Sequence, residues 1–471
     1  MKKMKYIIYM FVVLLATTSC DDFLNITPDG QSKRDEQLKT EQGIEDAMYG
    51  VYSQLRSQSL YGQELYFHTV EIMAHNLYCN GNPTLEALGK FDFTNTSVKA
   101  LFKGVWTQMY ENISNVNSVL NSPLVAEAKE FPYTIYRGEA LGLRAFMHFD
   151  LVRLFAEQYT VKPKADGIPY ATDFSLKTPA FESLEKNYEH ILADLLEAEL
   201  LLADEQEYEG EGNFMLDRQI HFNKYAVWGT LARVYLTMGN KAKAAEYANK
   251  VIKDGKYMLK EKTEVKDDLA GVLSKKECLF GVYFSGFYSY VNEKLQQMTS
   301  YYSLDIRKDF NTIYENDNAV GDYRLTAYFS EAGIGDDVKY RLCKFTDVYE
   351  QQNNAAARPA DLILGINLIR IPEMYYIMAE ALLESDYNAA LGYYNKVRVC
   401  RGLEPLDAAL KLDMAMINEE RFKEMIGEGQ TYFNMKRQNL PITSFSGGKE
   451  YQPHEGIYVI PIPDIEKENR N

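Results

Sequence analysis

Long apolar runs are missing from this 471-residue chain: the segment Tyr6 to Ala16 is only eleven residues, whereas a helix needs about 20 to cross a hydrocarbon core. Cysteine is scarce. Cys20, Cys79, Cys278, Cys343 and Cys400 lie far apart without a CxxC pair, which argues against a metal site or a dense disulfide framework. Basic charge is short as well, with 51 Lys and Arg against 67 Asp and Glu and a formal charge of −16. A nucleic-acid binder needs basic surface to displace counterions, so that partner class is excluded. The six histidines, His68, His75, His148, His190, His221 and His454, contain no HExxH, and His148, among apolar residues on a helix, is expected to be a satisfied core histidine. No GxSxG elbow, P-loop or GxGxxG occurs: SFSGGKE lacks the first glycine and GIGDD is a turn. Carboxylate pairs such as Asp336-Asp337 are common in any acidic chain and point to a glycosidase only when they face each other across a cleft. The expectation is a protein that is not an enzyme.

What is present begins at the amino terminus. Lys2, Lys3 and Lys5 precede the apolar segment, and Thr17, Thr18 and Ser19 follow it, directly before Cys20. That order is a secretory signal over residues 1–19, and a cysteine at its cleavage point is where a bacterial lipoprotein takes its lipid. Cys20 is thus the expected lipidation site, since several acyl chains together give a stable anchor that one does not. Loss of three lysines and no acids with residues 1–19 would take the formal charge from −16 to −19. Residues 20–40 read as a tether and 41–471 as one domain.

That domain reads as mostly α. In EQGIEDAMYGVYSQL, Ile44, Ala47, Met48, Val51, Tyr52 and Leu55 repeat at three and four, one face of a helix. Trp106, Tyr110, Ile113, Asn117 and Leu120 form a second stripe, IYRGEALGLRAFMHFDLVRLF carries a third, and Leu184, Tyr188, Ile191, Leu195 and Leu202 a fourth. The stretch NKYAVWGTLARVYLTMGNKAKAAEYANKVIKDGKY reads as two helices hinged at Gly239-Asn240 and stopped at Gly255. Its Trp228, Leu231, Ala232, Tyr235, Ala244, Ala248 and Val251 fit a tetratricopeptide pattern. A looser hairpin runs from Tyr375 to Arg398. Such hairpins cannot bury their apolar faces alone, so stacked they should form a right-handed superhelical scaffold from 41–57, 101–255 and 369–440. Trp106 and Trp228 fall on the stripes and are expected in the core.

Two excursions interrupt this frame. Residues 58–100 contain NLYCNGNPT, and residues 256–368 hold short β-type runs such as CLFGVYF, glycine and aspartate loops and clusters of tyrosine. Long excursions from a rigid frame are where binding residues usually sit. ENDNAVGD, residues 315–322, is a candidate calcium loop because it spaces oxygen ligands, yet it misses the twelve-residue pattern and a solvated turn explains it as well.

The order of several segments resembles the SusD/RagB family of surface lipoproteins. They are CDDFLNITP, WTQMYENISNVNSVL, GEALGLRAFMHFDLVRLF, the hairpin from Asn223, RIPEMYYIMAEALL, NKVRVCRGL, ERFKEMIGEGQTYFNMKR and YVIPIPDIEKEN. The resemblance implies an outer-membrane, lipid-anchored protein that captures a nutrient and hands it to a SusC-like TonB-dependent transporter. Asp21 and Asp22 resemble the acidic tag that sends such lipoproteins to the outer cell surface. One departure stands out: after Glu428-Gly429 the family usually has an arginine and, three residues on, an aspartate, where this chain has Thr431 and Asn434. Joint loss of an ion pair can be nearly neutral. Arg421, Glu424 and Arg437 nearby are expected to be scaffold ion pairs.

The implied ligand is a glycan or, as in the peptide-binding relatives, a peptide. Sugar rings stack their C–H faces on aromatic rings while amides and carboxylates read the hydroxyls. The chain has 36 tyrosines and two tryptophans, so tyrosine must supply the platform. FSGFYSYV and SYYS offer Phe287, Tyr288, Tyr290, Tyr301 and Tyr302 as one wall, and HNLYCNGN offers His75, Asn76, Tyr78 and Asn80 as the other. Packing of these rings onto the frame is the alternative for each.

Overall fold

A computed structural model describes residue 34 and residues 36–78, 81–175, 178–261, 264, 273–295, 303–304, 310–315, 321–332, 339–345, 362–444 and 449–468. Cys20 and its signal, Cys79, Asn80, Tyr301, Tyr302 and GIGDD lie outside the described residues. Among the described residues the main helices are α1 (Glu41–Leu55), α2 (Thr69–Met73), α3 (Pro83–Gly89), α4 (Thr96–Leu120), α5 (Tyr133–Phe155), α6 (Leu184–Leu201), α7 (Lys224–Thr237), α8 (Lys241–Asp254), α9 (Phe287–Leu295), α10 (Tyr323–Tyr328), α11 (Ile371–Leu382), α12 (Tyr387–Cys400), α13 (Met414–Met425) and α14 (Thr431–Arg437), with short helical turns at Phe310–Ile313, Glu455–Tyr458 and Asp464–Glu468.

Polar caps start these helices where the apolar stripes begin. Thr40 accepts from the Gly43 amide at 3.1 Å, Asn95 from Ser97 and Val98, and Asp413 from Met416; a cap of this kind contributes about 1 kcal/mol. Ile44, Met48, Val51, Tyr52 and Leu55 of α1 are all buried, with Ala47 packed beside them. α5 is buried on every side from Gly138 to Phe155, so it is the central helix. Its Gly142 lies where a Cβ would come within 2.4 Å of the Phe222 ring, a close approach that glycine alone permits. The hinge and stop expected in the α7–α8 hairpin are both present, at Gly239 (φ 78°) and Gly255 (φ 79°).

Neighbouring helices pack in chain order: α1 on α4, α4 on α5, α5 on α6, α6 on α7 and α7 on α8. α8 then packs on α11, and α11 on α12 and α13, so the frame continues as if residues 256–368 were absent. The reason is a pair of strands. β4 (Cys278–Tyr283) leaves the frame and β8 (Gly365–Arg370) returns beside it, antiparallel, with Gly281 opposite Asn367 and Tyr283 opposite Gly365. The other strands form short antiparallel pairs: β2 (Asp166–Pro169) with β3 (Phe181–Ser183), β1 (Leu77–Tyr78) with β5 (Ser303–Leu304), β6 (Phe329–Ala332) with β7 (Lys339–Leu342), and β9 (Ile442–Thr443) with β10 (Glu450–Tyr451).

Trp106 is buried and donates from Nε1 to Glu466 at 3.0 Å. Trp228 packs against the core but is only half-buried, donating to Glu199 at 2.8 Å with Lys224 and Lys250 over its ring. His148 is the satisfied core histidine: the Ala171 amide donates to Nε2 at 3.0 Å, Nδ1 faces the Arg144 carbonyl at 2.9 Å and the ring stacks on Tyr170. Burial pulls its pKa down to about 3, so it stays neutral. Cys278 and Cys400 are buried thiols outside any disulfide.

The first excursion departs from the loop expected of it. Leu60, Tyr61, Leu65, Tyr66, Phe67, Val70, Ile72 and Met73 are all buried, and the segment holds α2 and α3. Its apolar residues are too irregularly spaced to read as a helix stripe, yet they pack directly on the frame.

Candidate functional site

The two excursions meet. β1, at the end of the first, pairs with β5 in the second, Leu77 opposite Leu304 and Tyr78 opposite Ser303. A second contact lies beneath: Tyr290 of α9 donates its hydroxyl to Gln63, and Phe287 packs against Tyr66, Phe67 and Phe345 at ring distances near 6 Å.

Buried carboxylates fix the lower layer. Glu64 Oε2 faces His68 Nδ1 at 2.7 Å and also accepts from Thr69. Glu71 is fully buried, with one oxygen accepting from Asn76 Nδ2 and the other from the Gly429 amide, each at 2.8 Å. Gly429 sits at φ 72°, and a Cβ there would come within 2.3 Å of the Leu65 carbonyl oxygen, so the glycine is required for the excursion to lie against the α13–α14 turn. Burial lifts the Glu71 carboxyl to about 7 against the opposing hydrogen bonds.

The residues expected to form two walls divide in three. Phe287 and Tyr288 are 1% and 8% exposed, and His75 and Asn76 are 6% and 4% exposed, which corrects their expected place on an open platform. The physical reason is local. Residues 287–295 form α9 rather than a loop, and its Phe287, Tyr288 and Val291 turn one face inward. Asn76 is spent on Glu71, while His75, held at φ 55°, packs its ring against Phe91 and Tyr451. Tyr290 is half-buried, its hydroxyl pushed up to about 12 by burial, and Tyr78 takes its place in β1. Asn80, Tyr301 and Tyr302 fall outside the described residues. Tyr283, at the end of β4 and 49% exposed, was not among the expected residues. Its signal is an aromatic closing an otherwise buried β-type run.

Of the candidate calcium loop, Glu315, Gly321 and Asp322 are described, and the two acids are spent on cations. Glu315 pairs with Arg398 at 2.6 Å and Lys423 at 3.0 Å, and Asp322 with Arg324 at 2.5 Å. Among the described residues no group of three or more His, Cys, Asp or Glu side chains could hold a metal ion, and no helix is long and apolar enough to cross a membrane. Arg421 and Arg437 both pair with Glu380, and Glu424 with Arg370, Arg401 and Arg324, the scaffold ion pairs expected of them.

Comparison with known proteins adds to this geometry. A family model, SusD-like_3, described as "Starch-binding associating with outer membrane", matches residues 22–236, and the SusD family model matches residues 232–460. The SusD-like protein P2 of Formosa agariphila is 25% identical over 98% of this chain and 97% of its own length. Among solved structures, a SusD superfamily protein from Bacteroides thetaiotaomicron is similar with a TM-score of 0.70 at 23% identity, covering 90% of this chain and 97% of that one. A SusD-like carbohydrate binding protein from Bacteroides vulgatus gives a TM-score of 0.71 at 21% identity, covering 90% and 95%. At these identities the structures share the fold.

Proposed function

Because the chain belongs to the SusD family, we propose that it is a surface lipoprotein, anchored through Cys20, that binds a nutrient oligosaccharide and passes it uncleaved to a SusC-like TonB-dependent transporter. The observation that carries the binding site is the β1–β5 pairing, which joins two chain segments rich in asparagine and tyrosine that lie more than 200 residues apart in the sequence. Tyr78, Tyr283, Tyr290, Tyr301 and Tyr302 are the aromatic candidates for stacking, with Asn80 for hydroxyl contacts; His75, Asn76, Phe287 and Tyr288 are buried and serve packing. A carbohydrate-binding structural relative and the starch-binding description of the matched family favour glycan over peptide. A shallow stacking site buries little area, so affinity is expected in the order of micromolar to millimolar and to grow with chain length.

The test is a screen of polysaccharides and peptide mixtures by affinity electrophoresis and calorimetry, repeated with Tyr283→Ala and Tyr290→Ala. Weakened glycan binding by both variants supports the site. Full affinity in both overturns it, and tight peptide binding without a glycan response overturns the ligand. For the anchor, Cys20→Ser is expected to move the protein from the membrane to the soluble fraction; an unlipidated wild type sinks that assignment.

A further inference from the structure

α5, α7, α11, α13 and α14 line a partly open pocket of about 50 Å³, room for a few waters or one small oxyanion at roughly 10–15 Å³ per water centre. Its lining is unusual in charge. Arg153, Arg233, Arg421 and Arg437 all border it, and they share three carboxylates: Asp150 pairs with Arg153, Glu373 with Arg233, and Glu380 with both Arg421 and Arg437. One guanidinium charge is left over within the cluster. Hydrogen-bond donors are left over too. Arg153 Nε, Arg233 Nη1, Arg421 Nε and Thr431 Oγ1 are buried without a partner, on arginines that are 8%, 4% and 8% exposed.

Buried donors without acceptors are costly, and a buried cation without a counter-charge more so. Water could accept from some of these groups, but it brings no charge. An oxyanion supplies several acceptor oxygens and cancels the surplus at once, and guanidinium N–H groups suit carboxylate, phosphate and sulfate oxygens alike. The neutral Thr431 and Asn434 add a hydroxyl and an amide to the same wall, Asn434 accepting from Arg437 at 2.6 Å and donating to Asn418 at 3.0 Å. Burial and the neighbouring Arg437 charge draw the Arg421 guanidinium down to about 10, which fits a site short of negative charge.

We propose that this cavity is a binding site for one small oxyanion, which bridges the helices of the frame. It belongs to the scaffold, and among the described residues no tyrosine lines it.

Calorimetric titration of the full chain with sodium phosphate, sulfate and acetate, each at constant ionic strength in a chloride buffer, tests this. Saturable one-to-one binding of at least one of them is expected, with Kd of about 1 mM or tighter; preference for acetate over the two tetrahedral ions would identify a carboxylate as the occupant, and the reverse a phosphate or sulfate. Asn434→Asp places an isosteric carboxylate beside Arg437 and is expected to weaken binding about tenfold or more while raising Tm in buffer free of the three ions. Thr431→Val, which removes only the hydroxyl, is expected to weaken binding several-fold. No saturable binding of any of the three ions by the wild type overturns the proposal, as does undiminished binding in either variant.

Discussion

The two excursions are pinned to the same part of the frame, residues 424–430, by opposite chemistry. The first brings a carboxylate, Glu71, to the backbone amides of Gly427 and Gly429, with no cation hydrogen-bonded to it. The second brings cations. Lys344 reaches Glu428 at 2.6 Å and Arg324 joins Glu424 at 3.3 Å, and Arg370, where the chain re-enters the frame, reaches Glu424 and Glu428 at 2.7 Å. For Glu71 burial outweighs the amides and the more distant Lys344 charge, and its pKa rises; for Glu424, ringed by guanidiniums, the ionised form is favoured and the pKa falls well below the usual carboxylate range. One fold therefore holds the two excursions by anchors that respond to pH in opposite directions.

The largest expected effect breaks the second anchor. Glu424→Gln removes the shared partner of Arg324, Arg370 and Arg401 and leaves buried cations under-compensated, a loss of about 3–5 kcal/mol by chemical denaturation. The ionised Glu424 contributes stability that is present above its unfolded pKa near 4.5 and lost as pH falls through its depressed folded value. If the variant matches wild type at neutral pH, the ion cluster contributes nothing net.

Next, Phe287→Ala empties the contact between the excursions and should lower stability by about 3–5 kcal/mol in thermal melts. An unchanged Tm would mean that Phe287 is not the packed residue described. Glu71→Gln sharpens the pH contrast. A folded pKa raised from 4.5 to about 7 gives a contribution complete below about 4.5 and lost as pH rises through 7, about 3 kcal/mol across that window. Wild type should thus lose stability relative to Glu71→Gln between pH 5 and 8; parallel profiles of the two proteins would show that Glu71 is ionised throughout.

In the frame, Ala248→Leu should overpack the α7–α8 hairpin, where Ala248 is fully buried, at about 1–3 kcal/mol. An unaltered denaturation midpoint would refute that packing. Smallest is Tyr283→Ala, expected within about 0.5 kcal/mol of wild type because the side chain is half exposed. A large loss would make Tyr283 a packing residue and remove it from the candidate face.

Helix periodicity, caps and the α7–α8 hinge were legible in the chain because each depends on residues within a few positions of one another: Asn223 caps Tyr225 and Ala226, and Gly239 and Gly255 take the positive φ that their places require. The FxxxV spacing from Phe287 to Val291 was equally local, and it could have marked α9 as a helix with an inward face. The resemblance to the SusD/RagB family rested on the order of whole segments and needed no contacts. Tertiary structure alone decided which aromatics face inward, since the face of Phe287 is set by Phe67 and Phe345, and Glu71 owes its raised pKa to burial under a turn 358 residues away. Burial, counter-charge and strand pairing are sums over neighbours distant in sequence. They therefore appear only when the chain has closed on itself.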